Sequence, residues 1–358
     1  MVKIRNSFVL SLATSVFLLF SLLMLIVKTN SAAHSSPKAI PPYHLSVFAR
    51  STHDYTQPDS IAISGDRVFV GFGNGVAKDG SDGKSSTIVE YKMDGMVVRT
   101  FSVLGHNDGL RVDPATKLLW ALQNEDANPR LAIINPSTGE QKDYSFGPTP
   151  HGGGYDDIVF RRGRVFLSAS NPTLSGSGVN THPAIVRAEL EGSTVEVSPV
   201  LAGDATAIDI PTEERVMLNL TDPDSMTLGP EGELVLDNQD GAELIFVRQP
   251  GTDKQTARRL PLFSSQGVTR VDDTVFARAK EGRLLVTDLT ADTIYAISSA
   301  EFDTEDAYSA AHELGFVGKL DLDNGALTPI VTGLKSPRGM VFVRKETECE
   351  KEVTKFDE

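Results

Sequence analysis

Asp224-Ser225-Met226-Thr227-Leu228 runs into the turn Gly229-Pro230-Glu231-Gly232, and Glu233-Leu234-Val235-Leu236-Asp237-Asn238 follows it. Glu243-Leu244-Ile245-Phe246-Val247 comes next, and a last strand is expected near 257–260. Short runs rich in Val, Ile, Leu and Phe, punctuated by Gly, Pro, Asp and Asn, are the signature of antiparallel hairpin strands. The opening of this stretch recurs. Asp59-Ser60-Ile61, Asp108-Gly109-Leu110, Asp156-Asp157-Ile158 and Asp272-Asp273-Thr274 read like it, and Arg338-Gly339-Met340 is a sixth version. The intervals between first residues are 49, 48, 68, 48 and 66, and each long interval holds an insertion.

The units around the repeat share one succession of strands. The first shows 61–63, 67–72, 87–91 and 97–103, and the second shows 110–112, 118–122, 130–134 and 141–146. A period near fifty with four antiparallel strands per repeat is the composition of a propeller blade. The sequence therefore predicts an all-β fold, a six-bladed β-propeller over residues 43–343. The strand at 339–343 opens the last blade. The run at 45–49 precedes the first repeat and is expected to pair into that same blade, so that N- and C-terminal strands close the ring and remove exposed edges. One helix is expected, at 303–314 inside the fifth insertion.

A second residue type recurs after the second strand of each unit, at Asn74, Asn124, Asn171, Asn238 and Asp288. A hairpin brings the start of its first strand and the end of its second to one side of the sheet. The inner ring Asp59, Asp108, Asp156, Asp224 and Asp272 should therefore meet the Asn ring at one mouth of the channel. Carboxylates crowded together repel and raise one another's pKa unless a cation joins them. The set is all oxygen, which suits Ca²⁺ or another divalent cation. Asp and Asn also cap strands and turns by bonding local backbone, and that structural reading stands beside the metal reading. Arg338, at the sixth position, would pair with a neighbouring carboxylate or meet an anionic substrate.

The stretch from Glu233 to Val247 resembles the NHL-type repeat. The whole body resembles the six-bladed propellers of the SMP-30/gluconolactonase-like class, with paraoxonases as more distant relatives. That resemblance implies a divalent metal, commonly calcium, at the channel mouth. The matching positions would be Asn124, Asn171 and Asn238, with Asp288 and the inner aspartates. The class carries a Glu in an early blade where this chain's first blade offers Asp59.

Composition limits the remaining choices. A net charge of −14 argues against nucleic acid, which needs a basic footprint. The lone Cys349 excludes an intramolecular disulfide. Lys3 and Arg5 precede an uncharged run at 8–27, and Ser31-Ala32-Ala33 supplies small residues for a signal peptidase. Residues 1–33 thus read as a signal peptide or an N-terminal membrane anchor through 8–27, with the body outside the cytoplasm. Residues 34–42 read as a flexible spacer and 344–358 as a charged tail.

Two functions compete. The first is a calcium-dependent lactonase or esterase, in which Asp224 or Asp288 activates water, with His106 or His151 as alternatives. The second is a non-catalytic propeller that binds a small molecule or a protein at the same mouth.

Overall fold

The computed structural model describes residues 36–300 and 302–345. The expected leader and most of the charged tail lie outside them. The described residues are strands, turns and loops, and none of their helices is long and apolar enough to cross a membrane.

Each repeat folds as a four-stranded meander. Pro58–Ser64, Arg67–Phe72, Ser85–Lys92 and Val97–Leu104 pair in succession. Asn107–Val112, Leu119–Gln123, Arg130–Ile134 and Gln141–Phe146 do the same. The third meander is Ile158–Arg161, Arg164–Ser168, Pro183–Glu191 and Thr194–Ala202. Its outer strand runs parallel to that of the second, at Ser145↔Thr194, merging the two into one eight-stranded sheet. The fourth is Pro223–Leu228, Leu234–Asn238, Glu243–Arg248 and Thr256–Pro261, with the hairpin Thr206–Asp209 and Arg215–Met217 added outside.

The last two meanders interleave. Thr274–Phe276 pairs with Ala307–Ala311, followed outward by Phe316–Leu320 and Ala326–Thr332. Gly282–Asp288 and Thr293–Ser298, which lie between in sequence, belong to the final sheet. Its order is Pro337–Arg344, Gly282–Asp288, Thr293–Ser298 and His44–Arg50. Two sequence readings change here. Residues 284–288 are not the second strand of the fifth unit, so Asp288 belongs with Arg338 and not with Asp272. The helix expected at 303–314 is replaced by the strand Ala307–Ala311, every residue of which is buried. Alanine favours helix when exposed, but packing on both faces of a sheet outweighs that preference. The strand at 44–50 pairs into the last sheet, as expected, and forms its outer edge.

The core lies between sheets. Period-two alternation sends Val68, Val70 and Phe72 into a cluster with Leu285 and Ile294 of the last sheet. Phe69 and Ile88 point the other way, toward Leu110 and Ala121 of the second meander. The same division recurs between the second and third, third and fourth, fourth and fifth, and fifth and last sheets.

Near the inner strands the joints are polar or glycine-tight. Asp157 Oδ2 accepts from the Met226 amide of the next unit at 2.9 Å and from Arg111 Nη2 at 2.5 Å, while Oδ1 accepts from its own Ile158 amide. Asp273 repeats the device, taking the Met340 amide at 2.7 Å and the Thr274 amide at 2.7 Å. At two other joints the second residue is glycine. A Cβ on Gly109 would lie 2.1 Å from the Asp156 carbonyl, and one on Gly339 would lie 2.5 Å from that of Asp59. Asp157→Ala leaves an amide and a guanidinium without their acceptor, and should cost about 3 kcal/mol in denaturant unfolding. Asp157→Asn, which keeps one acceptor, should cost visibly less.

Candidate functional site

The starts of the inner strands enclose a cavity of about 550 Å³. Asp59, Asp108, Asp156, Asp224 and Asp272 all line it, together with Arg338. Residues that the repeat did not single out line it too: Lys78, Glu125, Asp126, Asp222 and Gln239. In all, ten carboxylates face the cavity against three cationic side chains, Lys78, Arg111 and Arg338.

These carboxylates are linked. Asp108 and Asp156 each feel the charge of Glu125, and Asp156 feels that of Asp224. Carboxylates crowded in this way repel one another unless protons or a cation offset their charge. Burial, reinforced by neighbouring carboxylates, lifts Asp108, Asp156 and Asp224 well above the ordinary range. Burial also raises Asp59 to about 7, although Arg338 pulls against it. Glu125 goes the other way. Burial acts to raise it, but the bond from Asp108 and the ammonium of Lys78 outweigh that and hold it low. Arg338 is ion-paired with Asp272, and Gln239 Nε2 bridges Asp272 Oδ1, at 3.1 Å, and Asp224 Oδ2.

His106 presents a free ring nitrogen. Its ring is buried, and burial lowers its pKa, so the imidazole is neutral. Nδ1 lies 3.2 Å from the Val76 carbonyl, which only accepts, so Nδ1 carries the proton. The lone pair is then on Nε2, which has no hydrogen-bond partner and stands 4.0 Å from Asp108 Oδ2. One donor atom each from His106, Asp108 and Glu125 lies within 4.8 Å of the others. A ring nitrogen fixed by a backbone carbonyl on its far side is the usual arrangement of a metal-bound histidine.

Asp222 is a further group that the sequence reading missed. Its amide donates to Asn238 Oδ1 at 3.1 Å, and its carbonyl accepts from Gln239 at 3.0 Å. The backbone is thereby fixed while the carboxyl faces the cavity. Burial, then Asp240 and Glu125, raise it to about 6.

The second ring does not reach the cavity. Asn74, Asn124 and Asn171 have φ of +54°, +67° and +47°. Asparagine recurs there because it tolerates the left-handed conformation that ends the hairpin strand. Asn124 Oδ1 accepts from the His106 amide at 3.0 Å, and Asn171 Nδ2 donates to the Asp126 carbonyl at 3.2 Å. Asn238 is fully buried between the Asp222 amide and Glu243. Asp288 accepts from the Ala291, Lys335 and Ser336 amides and caps a turn beside the last strand. His151 is fully buried, its Nε2 donating to the Gly154 carbonyl at 2.6 Å. Asn124, Asn171, Asn238 and Asp288 thus brace neighbouring backbone, Asn238 also the Glu243 side chain, and they lie outside the cavity lining. Of the four residues named for catalysis, Asp224 and His106 line the cavity, and Asp288 and His151 do not.

No family model matches the chain, and no curated protein matches it in sequence. Solved structures are similar in fold. Virginiamycin B lyase from Staphylococcus aureus is 12% identical, with a TM-score of 0.46 over 86% of this chain and 90% of that one. The periplasmic gluconolactonase of Pseudomonas aeruginosa is 12% identical, with 0.40 over 80% and 88%. A protein from Bacteroides uniformis described as a putative 6-phosphogluconolactonase is 11% identical, with 0.44 over 79% and 73%. These resemblances are too distant to carry an activity across.

Asp59, Asp222 and Asp273, at about 7, 6 and 7, all lie above the unfolded value of 3.8. Between pH 4 and 7 the native chain therefore keeps protons that the unfolded chain has released, and stability falls as pH rises. Glu125 contributes in the opposite sense, but only below the ordinary carboxylate range. In chelator, the melting temperature should be lower at pH 7.5 than at pH 5. Equal melting at the two values would mean that the buried carboxyls are ionised throughout.

Proposed function

We propose that the chain is a six-bladed β-propeller outside the cytoplasm that hydrolyses a lactone or ester with a divalent cation at the mouth of its channel. Six interleaved apolar clusters, the last joining Leu285 and Ile294 to Ile61 and Val70, support the ring. The basic start and the apolar run at 8–27 support the location. The observation that carries the chemistry is the neutral His106, its Nε2 free and facing Asp108 and Glu125.

His106, Asp108 and Glu125 would hold the ion. One nitrogen and two carboxylates suit Mn²⁺ or Zn²⁺ better than calcium, whose ligands are oxygens. When bound there, such an ion supplies Lewis-acid polarisation of the substrate carbonyl. Asp222, raised toward neutrality beside the cluster, takes the proton of the attacking water and returns it to the leaving alcohol. Asp156 and Asp224 hold further protons next to it. Arg338 is committed to Asp272 and keeps that side of the cavity ordered.

Metal analysis of purified protein, followed by a lactone and aryl-ester panel with and without chelator, tests the reading. Mn²⁺ or Zn²⁺ at a hundredfold excess over its dissociation constant should add about 2.7 kcal/mol of stability. His106→Ala and Glu125→Gln should abolish both that gain and turnover. Asp222→Asn should keep the metal and lower kcat by about 10²- to 10⁴-fold. Metal bound with no lactone or ester turned over would leave a ligand-binding propeller as the function. Absence of any metal-dependent stabilisation would remove the site itself.

A further inference from the structure

The inner strands that carry the acidic cavity at one end carry arginines at the other. Ile158–Arg161 starts just after Asp157, and Arg161 is about 13 Å further along at 3.3 Å per residue. There the hairpin turns of the third and fourth meanders enclose a second cavity of about 580 Å³. Arg161, Arg162, Arg164 and Arg248 line it against only Glu231 and Glu233. In a chain of net charge −14 this is a local reversal of sign.

The charges there are incompletely matched. Arg248 pairs with Glu231 at 2.5 Å. Arg161 is anchored, its Nε donating to the Gly232 carbonyl at 2.5 Å. Arg162 and Arg164 have no ion-pair partner among the described residues. Arg161 and Arg164 are direct cross-strand partners, so their side chains leave the same face of the hairpin. Like charges placed so are destabilising. Their mutual effect is visible at Arg161, where burial and then the charges of Arg162 and Arg164 lower the pKa. The turn between them is Arg162-Gly163, with φ of +50° and +73°. Asn or Gly is the favoured residue at the first of these positions, and an arginine there costs backbone energy for its side chain.

We propose that this cavity binds a phosphate-bearing anion. Guanidinium groups match phosphate oxygens in a two-pronged geometry, and several of them together suit a multiply charged tetrahedral group better than a single carboxylate. The volume admits a diphosphate or a phosphate ester. Arg162 and Arg164 supply the uncommitted charge, and Arg161 and Arg248 complete the rim. The same chemistry is offered by a free phosphate compound and by an anionic lipid headgroup.

Calorimetry of the full chain with inorganic diphosphate, in chelator and at low salt, tests this directly. Vesicles of phosphatidylglycerol, with phosphatidylcholine as the neutral comparison, form the second arm. Wild type should bind one of the two probes, and the Arg162→Gly/Arg164→Gln double variant should bind it at least tenfold more weakly. Glycine suits the positive φ at 162, so the variant should melt no lower than wild type, and lost binding would not reflect lost folding. Binding of diphosphate identifies a soluble ligand, and binding of anionic vesicles alone identifies the headgroup. Binding of neither, or binding undiminished in the double variant, overturns the proposal.

Discussion

The structure depends on how closely the inner strands approach one another. Gly109 and Gly339 let one strand lie against the carbonyl of its neighbour, and Asp157 and Asp273 seize the neighbour's amide where no glycine stands. Both devices fix the register between adjacent units at the point where the recurring aspartates begin. Five carboxyls are then forced into one cavity by backbone packing, and their repulsion has to be met by shared protons, by Lys78 and Arg338, or by an ion. The chemistry of the cavity follows from the geometry of the joints.

The last sheet shows how the fold spends its connectivity. It is assembled from residues 44–50, 282–298 and 337–344, three segments far apart in sequence. Thr287 Oγ1 donates to the Asp59 carbonyl at 2.7 Å and reaches the Gly339 carbonyl at 3.2 Å, so one hydroxyl ties the final sheet to the first. The last sheet cannot be completed before residues 44–50 and 337–344 have both docked. Non-local pairing of this kind makes closure a late and cooperative event.

The meander pattern was legible because period-two alternation and turn residues act locally, and the register of the inner aspartates was legible because it repeats. The interleaving was not. Residues 284–288 read as the second strand of the fifth unit because they follow its first strand in sequence, and only the folded chain shows their pairing with 337–344. The Asn ring misled for a related reason. Asn124 and Asn171 recur because a left-handed residue is needed after the strand, and a recurring polar residue looks like a site whether backbone or ligand demands it. The residues that complete the cavity do not repeat. Glu125 follows Asn124 and Asp222 precedes Asp224 by two, but Lys78 comes from a loop, and only the folded chain brings the three together.

That mixture of repeated and unrepeated residues bears on which ion the cavity would choose. Five aspartates alone form a symmetric ring of oxygens around an axis, and such a ring suits a large, flexible coordination sphere. The unrepeated residues break the symmetry. Glu125 is held ionised by Lys78 on one flank of Asp108, and His106 presents a lone pair on the other. Asp156 and Asp224, by contrast, are raised well above the ordinary carboxylate range by burial. Negative charge and nitrogen are thus concentrated at one wall, which favours a small ion with few ligands over calcium at the centre. An ion held off-axis leaves the remainder of the cavity open to a substrate, with Asp222 on its border.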